Sequence, residues 1–176
     1  MEVRAAGPAE AGVVARLLHD FNVEFATPTP GPAVLEARLG AMLAGDCAVA
    51  LLAGEPAVAV ALLTFRPSVW DAGPVALLEE LYVRPDLRGR RIGQAVLERA
   101  LAVARERGSE TFEINVDEDD AGARRFYEAH GFANTEPGST ERLLYYWRAV
   151  WPQAALGGAA PGGRLPPHRS QARSTG

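Results

Sequence analysis

Two adjacent carboxylates, Glu79 and Glu80, interrupt an otherwise apolar segment, and a loop rich in arginine and glycine follows them. Carboxylates in apolar surroundings are costly unless they have a partner or a task, and accepting a proton is one such task. The loop at residues 88–93 leads into a predicted helix starting near Ile92, where unpaired N–H groups and the helix dipole favour an anion. The sequence therefore predicts a phosphate site beside a candidate general base.

The glutamates belong to a predicted strand over residues 75–83. Side chains alternate along a strand, so we expect Glu79 and Glu80 on opposite faces, with at most one at a given site. Glu79 would share a face with Leu81 and Val83. The structural alternative is that one glutamate is solvated and the other forms an ion pair.

Apolar periodicity and turn residues divide the rest of the chain into further elements. We expect helices from about Pro8, over residues 35–43, from Ile92 to about residue 107 and over 121–130. We expect further strands near Val3 and over residues 46–53, 57–65, 111–116 and 141–147. The strands at 46–53 and 57–65 are apolar almost throughout, which predicts central strands covered on both faces.

Length and composition limit the class of protein. The chain has 176 residues, 48% of them hydrophobic, and a formal net charge of -4. We expect one domain over residues 1–150 and a disordered tail over 151–176, which is rich in Gly, Pro, Ser and Arg. The acidic balance argues against nucleic acid as a partner. The start of the chain resembles no signal segment and no run is long enough to span a membrane, so we expect a cytoplasmic protein.

Three other features have structural interpretations that compete with functional ones. Cys47 is the single cysteine and is expected to be a small buried hydrophobe. Trp70, in a loop at residues 66–74, fits a binding rim or a cap on the core. His19 is more simply a solvated helix residue than a catalytic one. The acidic run 117–120 lacks the glycine and distal glutamate of a calcium loop, so we expect helix capping there and no metal site.

Two segments resemble signature motifs of the GNAT family of N-acetyltransferases. The family's acetyl-CoA pyrophosphate loop has the pattern Gln/Arg-x-x-Gly-x-Gly/Ala, which is similar to Arg88-Gly89-Arg90-Arg91-Ile92-Gly93. Its second signature, Asn-x-x-Ala-x-x-Phe-Tyr-x-x-x-Gly-Phe, is similar to the segment Asp120-Ala121-Gly122-Ala123-Arg124-Arg125-Phe126-Tyr127-Glu128-Ala129-His130-Gly131-Phe132. Arg91 and Asp120 depart from the glycine and asparagine of the two patterns. The order and separation of the motifs make the resemblance specific, and it covers most of the chain.

The resemblance implies a fold, a co-substrate and a set of site residues. The fold would be a single α/β (α+β) domain with a central mixed, mostly antiparallel sheet flanked by helices. Acetyl-CoA would be the co-substrate, with the backbone of Leu81 and Val83 pairing with its pantetheine arm. Tyr127 would protonate the departing thiolate, and Glu79 or Glu80 would accept a proton from the amine. We prefer Glu79 as the base, because it would share a face with Leu81 and Val83 and family members often have an acid at this position. The implied cofactor-binding residues are Leu81, Tyr82, Val83, Arg88, Gly89, Arg90, Arg91, Ile92, Gly93, Gln94, Asp120 and Tyr127.

The expected activity is transfer of an acetyl group to a primary amine of a small molecule or peptide, by direct attack in a ternary complex. The acceptor pocket would be lined by the first two helices, the loop at residues 66–74 and the last strand, and those parts match no motif. One alternative is an acyl-CoA sensor that binds without turnover. Another is a nucleic-acid patch formed by the arginines, which the acidic charge disfavours. Tyr145, Tyr146 and Trp147, on an exposed last strand, would allow a homodimer.

Overall fold

The computed structural model describes residues 1–146 and 148, and in this part of the chain a five-stranded sheet is flanked by four α-helices. Short 3-10 turns lie at Pro8–Glu10 and Pro85–Leu87. The strands are β1 (Val3–Ala5), β2 (Ala48–Ala53), β3 (Ala59–Arg66), β4 (Val75–Val83) and β5 (Phe112–Ile114). The helices are α1 (Ala11–Glu24), α2 (Pro32–Leu43), α3 (Ile92–Glu106) and α4 (Ala121–Ala129).

The strands lie in the order β1-β2-β3-β4-β5, with every neighbouring pair antiparallel except β4 and β5, which are parallel. The central strands β2 and β3 consist largely of Ala, Val and Leu and are buried on both faces, as their unbroken apolar pattern predicts. The predicted fold class, a mixed and mostly antiparallel sheet flanked by helices in one domain, is confirmed.

The sheet separates two hydrophobic clusters. On one face α3 and α4 pack against residues that alternate along the strands, among them Leu51, Ala61, Leu63, Leu78 and Leu81. On the other face α1 and α2 cover the intervening positions, among them Ala50, Leu52, Val60, Leu62 and Tyr82. On β2 and β3 the period-2 alternation of strand side chains therefore assigns each core residue to one helix layer.

The short strand β5 pairs only with the first part of β4. Its three residues lie beside Ala76, Leu77 and Leu78, with Ile114 the last to pair. In the described part of the chain no strand continues this pairing along residues 79–83. The carboxyl half of β4 therefore has one edge paired with β3 and one edge that β5 does not reach.

Two predictions from the sequence are wrong, one about a strand at the end of the domain and one about the burial of Cys47. Residues 141–146 form no strand; the only pairing described there is an isolated bridge between Thr135 and Arg142. An apolar run forms a strand only where a neighbouring strand supplies the hydrogen bonds. Trp147, the last residue of the predicted strand, lies outside the described residues. Cys47 is exposed, because it lies in the bend that precedes β2 rather than within the strand.

The loop at residues 66–74 shows which of the two interpretations of Trp70 fails. Trp70 is 93% exposed, so it does not cap the core. The loop beneath it is held by Ser68, whose hydroxyl donates to Asp71 Oδ2 at 2.6 Å, and by Thr111, whose hydroxyl donates to Asp71 Oδ1 at 3.3 Å. The backbone N–H of Trp70 donates to the Ser68 hydroxyl at 3.1 Å. Hydrogen bonds therefore order a loop whose aromatic residue faces solvent.

Candidate active site

A β-bulge places the two glutamates. The register with β3 pairs Leu63 with Leu78 and Leu62 with Glu80, so Glu79 is the extra residue on β4. A bulge inserts one residue without a matching position on the neighbouring strand and locally shifts the alternation of side chains. Before Glu79 the even-numbered side chains of β4 point to one face of the sheet, and after it they point to the other.

Both glutamates lie on the α1/α2 face, which corrects the prediction of opposite faces. Glu80 is directly opposite Leu62, which packs in the α1/α2 cluster, and Glu79 Oε1 accepts a 2.6 Å hydrogen bond from Thr64 on the same face of β3. Leu81, by contrast, is buried in the α3/α4 cluster. The prediction that Glu79 shares a face with Leu81 is also wrong, because the extra residue shifts the alternation by one position.

The two carboxyl groups differ in their surroundings. Glu80 Oε2 is shielded from solvent and has no hydrogen-bond partner in the described part of the chain. Burial raises the pKa of Glu80 well above its ordinary value of 4.5, and the negative charge of Glu79 raises the pKa further. Glu79 is partly exposed and fixed by Thr64. Of the two, Glu79 has the surroundings that suit contact with an incoming amine.

The backbone of β4 presents hydrogen-bonding groups at the edge that β5 leaves open. The N–H of Arg84 donates to the carbonyl of Val58 at 3.0 Å, so this residue faces β3. Backbone groups alternate along an antiparallel pair, and Leu81 and Val83 therefore direct their N–H and C=O groups away from β3. The backbone of Tyr82 faces β3, and its side chain packs on Phe21 with ring centroids 5.4 Å apart.

The arginine loop ends at the N-terminus of α3. The helical hydrogen bonds of α3 begin with the one that Ala95 N–H donates to Arg91 C=O at 3.1 Å, so the N–H groups of Ile92, Gly93 and Gln94 come before the helical ladder. Arg91 precedes the helix with φ 60°, in the left-handed region. Gly89 also has a positive φ, 73°, and a Cβ there would contact nothing within 4 Å. The loop thus offers an exposed, anion-favouring helix start.

The three loop arginines are not equivalent. Arg88 forms two hydrogen bonds of 2.8 Å with the Glu24 carboxylate at the end of α1, and its Nε donates to Val83 C=O at 3.0 Å. Arg90 and Arg91 are exposed, and no hydrogen bond or ion pair is recorded for their side chains within residues 1–146. The side chain of Gln94 donates to Glu98 at 2.9 Å. The exposed guanidinium groups of the loop are therefore those of Arg90 and Arg91.

The second motif builds the start and buried face of α4. Asp120 Oδ1 accepts from the N–H groups of Gly122 and Ala123 at 3.1 and 2.9 Å, which caps the helix as predicted. Tyr127 is 3% exposed and lies in the α3/α4 cluster, in edge contact with Phe126 and Phe132. Tyr127 is therefore on the face of the sheet opposite the two glutamates.

Two polar residues at the site were missed by sequence reasoning. Thr64 and Glu24 act through partners that are distant in sequence, and nothing in their own neighbourhoods indicates the pairing. A polar residue inside an apolar strand, as Thr64 is in β3, was the one local signal available.

Comparison with known proteins identifies the family. The model of the acetyltransferase (GNAT) family matches residues 15–132, more than half of the chain. The chain therefore belongs to the GNAT acetyltransferase family. Among the described residues, no helix combines the length and the apolar character needed to cross a membrane.

Individual relatives show how far the likeness extends. A crystal structure of a protein from Arthrobacter sp. FB24 assigned to the acetyltransferases is 55% identical, with a TM-score of 0.81, covering 85% of this chain and 96% of that one. An uncharacterized N-acetyltransferase from Archaeoglobus fulgidus is 35% identical over 52% of this chain and 63% of its own length. The chain spans less than two thirds of the length of the curated relatives that it matches.

A more distant structure shares the fold. It is that of AAC(6')-Iy in complex with the bisubstrate analogue CoA-S-monomethyl-acetylneamine, at 18% identity and a TM-score of 0.68, covering 84% of this chain and 97% of that one. At that identity the comparison concerns the fold alone.

Proposed function

We propose that this protein transfers an acetyl group from acetyl-CoA to a primary amine of a small molecule or peptide, by direct attack in a ternary complex. The observation that carries the proposal is the position of the open edge of β4. It lies between Glu79, on one face of the sheet, and Tyr127, on the other. A thioester bound at this edge would meet a base on one side and a phenol on the other.

The residues around the open edge suit acetyl-CoA as the co-substrate. The N-terminus of α3 and the exposed Arg90 and Arg91 would hold the diphosphate. The backbone of Leu81 and Val83 would pair with the pantetheine arm, in the manner of an added strand. An N–H group from this edge would also stabilise the negative charge that develops on the thioester oxygen.

The reaction needs a base for the acceptor and an acid for the departing thiolate, and the two faces of β4 separate these roles. Glu79, directly or through water, would accept a proton from the ammonium form of the acceptor, which frees the nitrogen lone pair to form the new bond to the acetyl carbon. The attached nitrogen then loses a further proton to solvent as the amide forms. The carbon–sulfur bond breaks, and the phenol of Tyr127 would donate a proton to the departing thiolate. A phenol, with an ordinary pKa of about 10, is a serviceable acid for a thiolate.

The charge of the site favours a cationic acceptor. Two carboxyl groups lie on the acceptor face of β4, and the chain as a whole carries a formal charge of -4. Opposite charge speeds the encounter of a ligand with its site. The CoA-linked acetylneamine analogue bound by AAC(6')-Iy, which has the same fold, is consistent with an amine-bearing small molecule as acceptor.

Calorimetric titration with acetyl-CoA, followed by CoA thiol release with a panel of amines, tests this proposal. We expect saturable binding near one per chain and turnover with at least one amine. Tyr127→Phe and Glu79→Gln should each lower kcat by roughly 10²-fold or more while acetyl-CoA affinity changes little. Glu128→Gln, on the exposed side of α4, is the matched control.

Each outcome distinguishes between readings of the site. Absence of acetyl-CoA binding would overturn the proposal. Binding without turnover on any amine would replace it with the sensor interpretation. An unchanged rate in Tyr127→Phe would leave the transferase activity standing and remove the phenol from the mechanism.

A further inference from the structure

Thr64 is a hydroxyl residue within an otherwise apolar stretch of β3. The strand reads Ala-Val-Ala-Leu-Leu-Thr-Phe-Arg, and Thr64 occupies a position on the α1/α2 face. Its Oγ1 donates to Glu79 Oε1 at 2.6 Å, within the range of a hydrogen bond between a hydroxyl and a carboxylate. Hydrogen bonds of this kind are shorter and stronger than those between neutral groups.

The surface around this hydrogen bond is open. Helices α1 and α2 bury Val60 and Leu62 on β3. The next residue of β3 on the same face, Thr64, and Leu77, which lies opposite it on β4, are partly exposed. Glu79 is partly exposed as well. A ligand can therefore approach this carboxylate from the face that α1 and α2 leave uncovered.

Glu79 is the extra residue of the bulge and has no matching position on β3. Glutamate also has three rotatable side-chain bonds, and catalysis depends on holding a base in the productive geometry. Threonine is β-branched and restricted at χ1, which makes it a rigid donor.

We propose that Thr64 is a positioning residue for the base of the transferase reaction: its hydroxyl holds Glu79 towards the acceptor amine on the open α1/α2 face. This inference rests on the proposed function, since it concerns the same site. A carboxylate offers about four lone-pair positions, so it can accept from a hydroxyl and from an amine N–H or a bridging water at the same time.

The test compares substitutions that remove or keep the hydroxyl. Thr64→Val preserves the branched shape without a donor, whereas Thr64→Ser keeps the donor. We expect kcat to fall roughly 10-fold in Thr64→Val, as for the loss of one hydrogen bond to a charged group, and to recover to within about 3-fold of wild type in Thr64→Ser. The KM for acetyl-CoA should stay unchanged in both, because Thr64 lies away from the open edge of β4.

A double-substitution comparison separates positioning from a structural contribution. In a Glu79→Gln background, Thr64→Val should cause little further loss, since a residue that acts only through Glu79 has nothing left to position. Thermal unfolding of each variant verifies folding. If Thr64→Val unfolds, Thr64→Ala and Thr64→Ser form a second pair that differs mainly by the hydroxyl.

The outcomes that overturn the inference differ from those that overturn the proposed function. Full activity in a folded Thr64→Val protein would overturn the role of Thr64 but leave the proposed function standing. The same holds if the fold-losses in kcat of Thr64→Val and Glu79→Gln multiply in the double variant. A wild-type protein that releases no CoA thiol with any amine would overturn the proposed function, and this inference with it.

Discussion

The carboxylate of Glu24 accepts two hydrogen bonds of 2.8 Å from the guanidinium of Arg88, which joins the end of α1 to the loop that precedes α3. The Arg88 side chain is 14% exposed, and its Nε also donates to Val83 C=O. This arginine occupies the first position of the pyrophosphate-loop motif. In this conformation its guanidinium is engaged by protein groups, so we expect it to shape the loop while backbone N–H groups contact the anion.

Replacing either partner of this ion pair should therefore have the same effect. Arg88→Ala and Glu24→Ala should each weaken acetyl-CoA binding by a similar factor and lower the free energy of unfolding by about 1 kcal/mol, as expected for a partly buried bidentate pair. Calorimetry and urea unfolding measure the two quantities. Arg84→Ala, which breaks an exposed 3.2 Å pair with Asp86, is the control and should change stability little. A large affinity loss in Arg88→Ala alone would instead indicate direct contact between Arg88 and the diphosphate.

The left-handed backbone at Arg91 gives a second prediction. Residues with a Cβ are disfavoured at φ 60° by about 1 kcal/mol, whereas glycine is not. Arg91→Gly should therefore be more stable than Arg91→Ala by roughly that amount in thermal or urea unfolding. Both variants lose the guanidinium, so both should weaken acetyl-CoA binding, and more so at low salt where charge is less screened. Equal stability of the two variants would contradict the strain assigned to this position.

Substitutions of Asp120 test whether aspartate, in place of the family's asparagine, changes the stability of α4. Asparagine and aspartate are similarly good N-caps, and either can accept from the N–H groups of Gly122 and Ala123. Asp120→Asn should keep most of the stability, while Asp120→Ala should lose about 1 kcal/mol or more because the cap is removed. Urea unfolding compares them. A loss as large in Asp120→Asn as in Asp120→Ala would show that the negative charge, rather than the cap, is what stabilises α4.

Glu80 should make stability depend on pH. Its pKa is raised in the folded protein, by burial first and by the charge of Glu79 second, whereas the unfolded chain ionises near the ordinary value of 4.5. As pH rises, Glu80 therefore loses its proton in the unfolded chain before it does so in the folded protein. This ionisation stabilises the unfolded state relative to the folded state. The free energy of unfolding should fall from about pH 4.5 up to the folded pKa and then level off.

Glu80→Gln removes this titration. The variant should gain stability relative to wild type as pH rises through that window, and urea unfolding at a series of pH values measures the difference. Glu128→Gln, on an exposed surface, should run parallel to wild type. A constant difference between Glu80→Gln and wild type at all pH values would show that the carboxyl of Glu80 is not shifted as described.

Local patterns predicted most of the secondary structure. Strand β4 was predicted with its observed bounds, and the start of α3 at Ile92 and of α4 at Ala121 follow from apolar periodicity and from the turn residues around them. Such signals depend on residues a few positions apart, and they are present in the chain whatever its tertiary structure. The same is true of the anion-favouring loop and of the cap at Asp120.

The sequence by itself determined which residues form the strands, the helices and the arginine loop, and it singled out Glu79, Glu80 and Tyr127. Only the tertiary structure decided where these side chains lie. The face of the two glutamates depends on a bulge, and a bulge exists only in the register between β4 and β3. The hydrogen bonds from Arg88 to Glu24 and from Thr64 to Glu79 join residues 64 and 15 positions apart. Contacts over such separations form when packing brings distant elements together, so no local pattern encodes them.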